Sequence, residues 1–260
     1  MTMEPYPEIL DLRQHQDLDL LTQVYTELYQ TAFTDPAEIE TLEQYTTRLW
    51  HPQLPPPQPI THFLIAGINL LDVSRRRVDG FLICESYRES LCGIVTFVAI
   101  DERARGKGLA RKLMRHGRSQ LNVDMIEWSG QQRGLQGLFA EMHNPRQFSE
   151  EDSIDPNVRL QIMRKLGANW VPIHYVQPDL QPGMPRVRHF FLATFPVSDE
   201  SSSRVISAKV VQTFLFEFYQ ALGVEEPDYD ADYLLMVQEL RGEQTIPNMA
   251  PELPTVRLTQ

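Results

Sequence analysis

The stretch VTFVAIDERARGKGLARKLM, residues 95–114, decides the expected fold. Its apolar run Val95–Ile100 predicts a β-strand, and Arg111–Met114 are good helix formers with no breaker among them. The polar turn between these two segments contains Gly106 and Gly108. The stretch therefore predicts a strand, a glycine-containing turn and a helix over about residues 106–120, in that order.

The turn has the features of an anion site. The first amides of a helix have no partner within the helix, and the helix dipole adds partial positive charge there. Gly106 and Gly108 let the backbone approach an anion without a Cβ atom in the way. Arg105, Lys107 and Arg111 add formal positive charge. Phosphate or pyrophosphate is therefore the expected ligand of this turn.

Two well-known phosphate motifs do not fit the turn. A P-loop has Ser or Thr after its lysine, but Gly108 follows Lys107, and a dinucleotide fingerprint has a third glycine where Arg111 stands. The pattern R-x-x-G-x-A, from Arg105 to Ala110, instead resembles the acyl-CoA-binding motif of the GNAT superfamily of N-acetyltransferases. The alternative is an ordinary left-handed turn with solvated basic side chains.

The resemblance follows the order of elements over residues 17–195 and is specific over residues 91–117. It implies acetyl-CoA as co-substrate, with its acyl group transferred to an amine by direct attack in a ternary complex. It also implies that strand backbone pairs with the pantetheine and the thioester carbonyl, while the turn holds the pyrophosphate. The residues implied for the strand are Val98, Ala99 and Ile100, and those for the turn are Arg105, Gly106, Lys107, Gly108, Leu109, Ala110 and Arg111.

In this family the general base is usually a glutamate on the central strands, because a protonated amine must lose a proton before it attacks. Glu141, in the apolar run GLFAEMH, is the first candidate, and Glu85, near the end of FLICESY, is the second. The alternative for each is a strand-end carboxylate in water or in a salt bridge. Met163 stands where the family often has the tyrosine that protonates the leaving thiolate, and Tyr175 is a candidate to replace it.

Apolar runs and helical periodicity together indicate an α/β fold with a mixed central sheet flanked by helices. A helix is expected to begin at Asp35-Pro36. After the loop SDESSS, two further helices predict a helical C-terminal extension. We therefore expect a GNAT-like acyltransferase domain over residues 1–200, with residues 201–260 packed on it or on a partner subunit. The predicted strands cover residues 62–68, 78–87, 91–100, 137–143, 171–175 and 189–195.

Composition restricts the partners. The 260-residue chain carries a formal net charge of −11, which argues against nonspecific nucleic-acid binding because that requires a basic face. No signal peptide and no apolar run of membrane-spanning length is visible, so a cytoplasmic location away from membranes is expected. The two cysteines, Cys84 and Cys92, are expected to be small core residues, and no metal site is indicated.

The acceptor expected from these features is a small-molecule primary amine, since the polar loop at residues 144–156 is long enough to close over a small cleft. A homo-oligomer joined through the C-terminal helices is compatible with this function. One alternative is a non-catalytic CoA-binding module with a regulatory or assembly role, consistent with the missing tyrosine. Another is a phosphate-binding α/β protein unrelated to acyl transfer.

Overall fold

The computed structural model describes residues 7–34, 39–51, 54–146, 155–180, 183–198, 205–242 and 253–259. Its helices are α1 (Leu18–Val24), α2 (Gln30–Ala32), α3 (Leu42–Trp50), α4 (Leu109–Trp128), α5 (Pro156–Leu166), α6 (Ala208–Ala221) and α7 (Ala231–Leu240), and a π-helical turn, Tyr25–Tyr29, joins α1 to α2. Its strands are β1 (Glu8–Asp11), β2 (Ile60–Ile68), β3 (Arg77–Tyr87), β4 (Cys92–Ile100), β5 (Gly137–His143), β6 (Asn169–Trp170), β7 (Phe190–Phe195), β8 (Val205–Ser207) and β9 (Arg257–Thr259).

Seven strands form a mixed sheet in the order β1-β2-β3-β4-β5-β7-β6. The pairs β1–β2, β5–β7 and β6–β7 are antiparallel, with Glu141 of β5 opposite Leu192 of β7. A separate parallel pair is formed by β8 and β9. Helices flank the sheet, and α6 and α7 make up a helical C-terminal part. The predicted fold class is therefore confirmed.

The chain divides into two compact units. The first contains Met1–Gln53, Ile60–Glu85 and Val95–Gln120, and the second contains Leu54–Pro59, Ser86–Ile94 and Leu121–Gln260. Each unit has its own buried apolar cluster. The C-terminal helices α6 and α7 fall in the second unit, together with β5, β6 and β7. A domain boundary at residue 200 stays a prediction.

In the first unit both faces of the sheet are covered. Successive residues of a strand point to opposite faces, so β3 supplies two sets of side chains. Phe81 and Ile83 belong to the apolar cluster that includes residues of α1 and α3. Leu82 and Cys84, on the other face, lie against α4 at Gly117. This double burial explains why the strand reads as a nearly continuous apolar run in the sequence.

Helix α4 lies so close to this face that residue 117 has no room for a side chain. A Cβ atom there would be 2.9 Å from Leu82 Cδ2 and 3.4 Å from Cys84 Sγ. Leu109 and Leu113, nearer the start of the helix, are buried as well. The helix continues to Trp128, beyond its predicted end at residue 120.

We expect Gly117→Val to destabilise the protein by about 1–3 kcal/mol, because a branched side chain would force α4 away from Leu82 and Cys84. Ser119→Val, which places the same side chain at an exposed position of the same helix, is the matched control. Urea unfolding monitored by circular dichroism gives both free energies of unfolding. Equal stability of the two variants would show that the helix is not held close to the sheet at residue 117.

In the second unit the C-terminal helices supply much of the buried apolar cluster. Phe214 of α6 stacks on Phe139 of β5 with 4.3 Å between ring centroids. The buried carboxylate of Glu217 accepts hydrogen bonds from the backbone amides of Glu89 and Ser90, at 2.9 and 2.8 Å. These contacts join α6 to β5 and to the turn after β3, so the C-terminal helices are part of a folded core.

Phe214→Ala is expected to lower the free energy of unfolding by about 3–5 kcal/mol, since it leaves a cavity beside Phe139. Tyr229→Ala is the control, because Tyr229 is 82% exposed and its loss should change the free energy by no more than about 0.5 kcal/mol. Chemical unfolding of both variants provides the comparison. A Phe214→Ala variant as stable as the control would mean that α6 does not belong to the core.

One predicted strand is wrong. Residues 171–175 are not in a strand, and β6 is formed by Asn169–Trp170 instead. Val171, Ile173 and Tyr175 are buried in the apolar cluster of the second unit. Their apolar character therefore reflects packing against that cluster and not pairing within the sheet, a distinction that periodicity alone does not make.

The start of one helix also differs from the prediction. Asp35 and Pro36 lie outside the described residues, and α3 begins only at Leu42. Thr41 caps it by accepting a hydrogen bond from the amide of Gln44, whose side chain bonds back to the amide of Thr41. Across the described part of the chain, none of the helices combines the length and apolar character needed to cross a bilayer.

Candidate functional site

The turn after β4 is fixed by its own acidic residues. Asp101 caps a 3₁₀ turn, Glu102–Ala104, and binds the guanidinium of Arg103 through two hydrogen bonds of 2.7 and 2.9 Å. The hydrogen bond from Arg103 holds the pKa of Asp101 below its usual value. Arg105 donates from Nε to the carbonyl of Ile100 at 3.2 Å. The chain therefore leaves the strand along a defined path.

The two glycines of the turn adopt backbone conformations that other residues rarely reach. The φ angles of Gly106 and Gly108 are 76° and 77°, in the left-handed region that favours glycine. Both are exposed, and a Cβ atom built at either one would meet nothing within 4 Å. The helix then begins at Leu109, which is buried, while Arg111 points into solvent. The first amides of α4 thus open onto an accessible surface.

This arrangement fits an anionic group. The open space at both glycines leaves the backbone approachable, and the start of a 20-residue helix carries partial positive charge. The side chains of Arg105, Lys107 and Arg111 are exposed around it. The predicted order of strand, glycine turn and helix start is confirmed.

The end of β4 offers half-buried backbone next to the turn. Val98, Ala99 and Ile100 are all of intermediate exposure. Ala99 packs against the apolar cluster of the first unit, so Val98 and Ile100 point to the opposite face. A Cβ atom at Gly80 of β3 would lie 2.8 Å from the carbonyl oxygen of Ala99. Only glycine at residue 80 allows β3 to approach β4 this closely.

Glu85, the second candidate base, lies in an ion pair inside the first unit. It is 4% exposed and accepts a hydrogen bond of 2.8 Å from Nη1 of Arg48. The hydroxyl of Thr61 donates to the same oxygen at 3.3 Å. Arg48 also pairs with Glu40. An amine could reach the Glu85 carboxylate only by competing with a charged partner already in place.

Glu141, the first candidate base, is half-buried and accepts hydrogen bonds from two uncharged side chains of the second unit. The hydroxyl of Tyr175 donates to one carboxylate oxygen, and Nε2 of Gln177 donates to the other at 2.8 Å. Tyr175 is 3% exposed. Burial raises the pKa of the Tyr175 hydroxyl well above its usual value, and the charge of Glu141 raises it further. Tyr175 therefore stays protonated and acts as a hydrogen-bond donor to Glu141.

Both His143 and His174 have side-chain partners. Arg159 contacts Nδ1 of His143 at 3.0 Å, and His174 binds Glu239 through both its ring and its backbone amide. Within the residues that the structure describes, no group of three or more His, Cys, Asp and Glu side chains could hold a metal ion.

Two residues of these sites were not among the sequence candidates. Arg48 binds Glu85 across 37 residues, and Gln177 binds Glu141 across 36 residues. The local sequence does not predict a functional role for either residue. Arg48 is a basic residue near the end of a helix, and Gln177 lies in a predicted loop. Their roles follow only from the tertiary contacts.

Comparison with known proteins gives structural neighbours alone. No family model and no curated protein matches the sequence. The ribosomal-protein-S18-alanine N-acetyltransferase from Escherichia coli is 14% identical, covering 76% of this chain and 97% of its own, with a TM-score of 0.44. A GNAT-family acetyltransferase from Staphylococcus aureus is 12% identical, covering 74% of this chain and 100% of its own, with a TM-score of 0.44.

A tandem GNAT protein from the clavulanic acid biosynthesis pathway is 17% identical, covering 66% of this chain and 46% of its own, with a TM-score of 0.48. Identities of 12–17% convey neither an activity nor a substrate for this chain.

Proposed function

We propose that this chain is an N-acyltransferase of the GNAT type, which moves an acetyl or short acyl group from acyl-CoA to the primary amine of a small molecule. The observation that carries the proposal is the turn between β4 and α4, where two left-handed glycines leave the start of the helix open to an anion. Acetyl-CoA supplies the acyl group as an activated thioester. The reaction is a direct attack by the amine in a ternary complex.

The residues that would hold CoA lie in one continuous segment. Its pyrophosphate would accept hydrogen bonds from the amides at the start of α4 and contact the basic side chains beside them. The half-buried backbone of Val98–Ile100 would pair with the pantetheine amides, as an added strand does. The residues assigned to the pyrophosphate are Arg105, Gly106, Lys107, Gly108, Leu109, Ala110 and Arg111.

Glu141 is the proposed base, with Glu85 as the second candidate. An acceptor ammonium must give up one proton before its nitrogen can attack the thioester. Glu141 accepts hydrogen bonds from the uncharged side chains of Tyr175 and Gln177, and it is only half-buried. Glu85 is held by the guanidinium of Arg48. These contacts favour Glu141 over Glu85.

A non-catalytic CoA-binding module remains the second candidate function. Both candidate carboxylates already accept hydrogen bonds from side chains of the chain itself, and methionine occupies position 163. Release of free CoA from acetyl-CoA across a panel of primary amines separates the two, because a binding module consumes none. Calorimetry with CoA and with ATP tests the remaining alternative, since a general phosphate site would not prefer CoA.

Gly108→Asp is expected to weaken CoA binding at least about tenfold, or 1.4 kcal/mol, by placing a carboxylate against the pyrophosphate. Gly130→Asp is the matched control, because Gly130 is also exposed, has a φ of 64° and has open space at its Cβ position. Calorimetric titration with CoA measures both affinities. Equal affinities in two folded variants would rule out this turn as the CoA site.

Glu141→Gln is expected to lower kcat by about 10²- to 10⁴-fold while leaving CoA affinity nearly intact, because the variant keeps the size of the side chain and removes the base. The acidic limb of the pH–rate profile should disappear with it. Glu225→Gln, the same chemical change at an exposed position, is the control. If Glu85→Gln abolishes that limb and Glu141→Gln retains it, the base is Glu85.

A further inference from the structure

Two side chains that bind the Glu141 carboxylate come from one short segment, residues 174–177. The hydroxyl of Tyr175 donates to one oxygen of Glu141, and Nε2 of Gln177 donates to the other at 2.8 Å. This segment lies outside the strands of the seven-stranded sheet, so the pairing that places β5 does not place it. Other contacts must therefore set its position.

The C-terminal helices bind this segment at both chain neighbours of Tyr175. On α7, the carboxylate of Glu239 accepts a hydrogen bond of 2.6 Å from the backbone amide of His174 and also binds its imidazole ring. On α6, the hydroxyl of Tyr219 donates to the carbonyl of Val176 at 2.6 Å. The residues before and after Tyr175 are therefore each bonded to a different C-terminal helix.

These contacts are buried, so their loss would be costly. Tyr219 is 0% exposed, Glu239 is 5% exposed and Tyr175 is 3% exposed. Gln177 is also held through both of its backbone groups, which pair with Val187. A buried polar group that loses its partner pays the full cost of its desolvation. The segment is therefore held firmly enough to orient a side chain that it contacts.

Tyr175 is suited to hold the charge of Glu141 and not to act as an acid. Its hydroxyl donates to the carboxylate, and burial raises the pKa of that hydroxyl well above its usual value. A hydroxyl that is buried, bonded to a carboxylate and slow to ionise is a poor proton donor to a leaving thiolate. A hydrogen bond to an ionised carboxylate favours the ionised form, which is the form that a general base requires.

We propose that the C-terminal helices α6 and α7 position the proposed base, Glu141, through residues 174–177. Tyr219 and Glu239 hold this segment, and its Tyr175 orients the carboxylate and favours the ionised form. This inference rests on the proposed function, because it assigns the helices a role toward that same base. Tyr175, Tyr219 and Glu239 are positioning residues, since each acts through another residue and not on a substrate.

The test is a ¹³C NMR titration of the Glu141 side-chain carboxyl group in the full chain without CoA. The resonance is identified by its loss in Glu141→Gln. Tyr175→Phe keeps the buried ring and removes the hydrogen bond to the ionised form, so the titration midpoint should move to higher pH by about one to two pH units. Tyr219→Phe should move the midpoint in the same direction by a smaller amount, because it releases the carbonyl of Val176.

Tyr233→Phe is the matched control. Tyr233 is 1% exposed, its ring centroid lies 5.6 Å from that of Tyr219, and its hydroxyl bonds to Gln212 on α6. The control removes a buried hydroxyl from an interaction that joins α6 to α7, so the midpoint should stay unchanged. Other groups near the carboxylate, such as His143 on the same face of β5, are identical in all these variants. An unchanged midpoint in Tyr175→Phe, or equal midpoints in Tyr219→Phe and the control, would overturn the proposal.

Kinetics distinguish failure of this proposal from failure of the proposed function. In an active enzyme, the acidic limb of the pH–rate profile should move to higher pH in Tyr175→Phe and in Tyr219→Phe, with the KM for acetyl-CoA unchanged. A limb that stays in place in Tyr175→Phe would overturn the positioning role and leave acyl transfer standing. The expected NMR midpoints in a chain without any turnover would support the positioning role and contradict the enzyme.

Discussion

The close approach of α4 to the sheet at Gly117 is the constraint on which the candidate CoA site depends. With a Cβ position only 2.9 Å from Leu82 Cδ2, the helix lies too close to the sheet for a side chain at residue 117. The connection from β4 to this helix spans residues 101–108 and includes the 3₁₀ turn Glu102–Ala104. Left-handed backbone at Gly106 and Gly108 makes that connection possible, and the same conformation exposes the first helical amides.

The two candidate bases differ in the charge of their partners. Arg48 neutralises Glu85 in an ion pair of the first unit, an arrangement that stabilises the fold and occupies the carboxylate. Glu141 accepts hydrogen bonds from a phenol and an amide, which orient its oxygens. An oriented carboxylate without a guanidinium among these two donors suits a base acting on an ammonium group.

Much of the fold was predictable because the decisive signals are local. The strand Gly137–His143 has the predicted bounds. The turn glycines were recognised for the same reason, since their backbone conformation is a property of the residues themselves. Short elements escaped prediction: β1 and β9 have only four and three residues, too few for a periodic pattern.

Long-range contacts were beyond the reach of sequence patterns. Arg48 lies 37 residues from Glu85, and Gln177 lies 36 residues from Glu141. Both belong to segments without any motif. The apolar residues Val171 and Ile173 look like strand residues but serve the core beneath α6 and α7. Periodicity indicates which residues are buried. Only the three-dimensional structure shows which other residues they pack against.

A backbone-amide NMR titration of the isotope-labelled chain with CoA tests the central claim most directly. If the turn after β4 holds the pyrophosphate, the largest saturable shifts fall on the amides of residues 106–111, with further shifts at residues 98–100. 3′,5′-Adenosine diphosphate, which lacks the pantetheine and the pyrophosphate, should leave residues 98–100 unshifted. Saturable shifts confined to other parts of the chain, or none with CoA, would contradict the account.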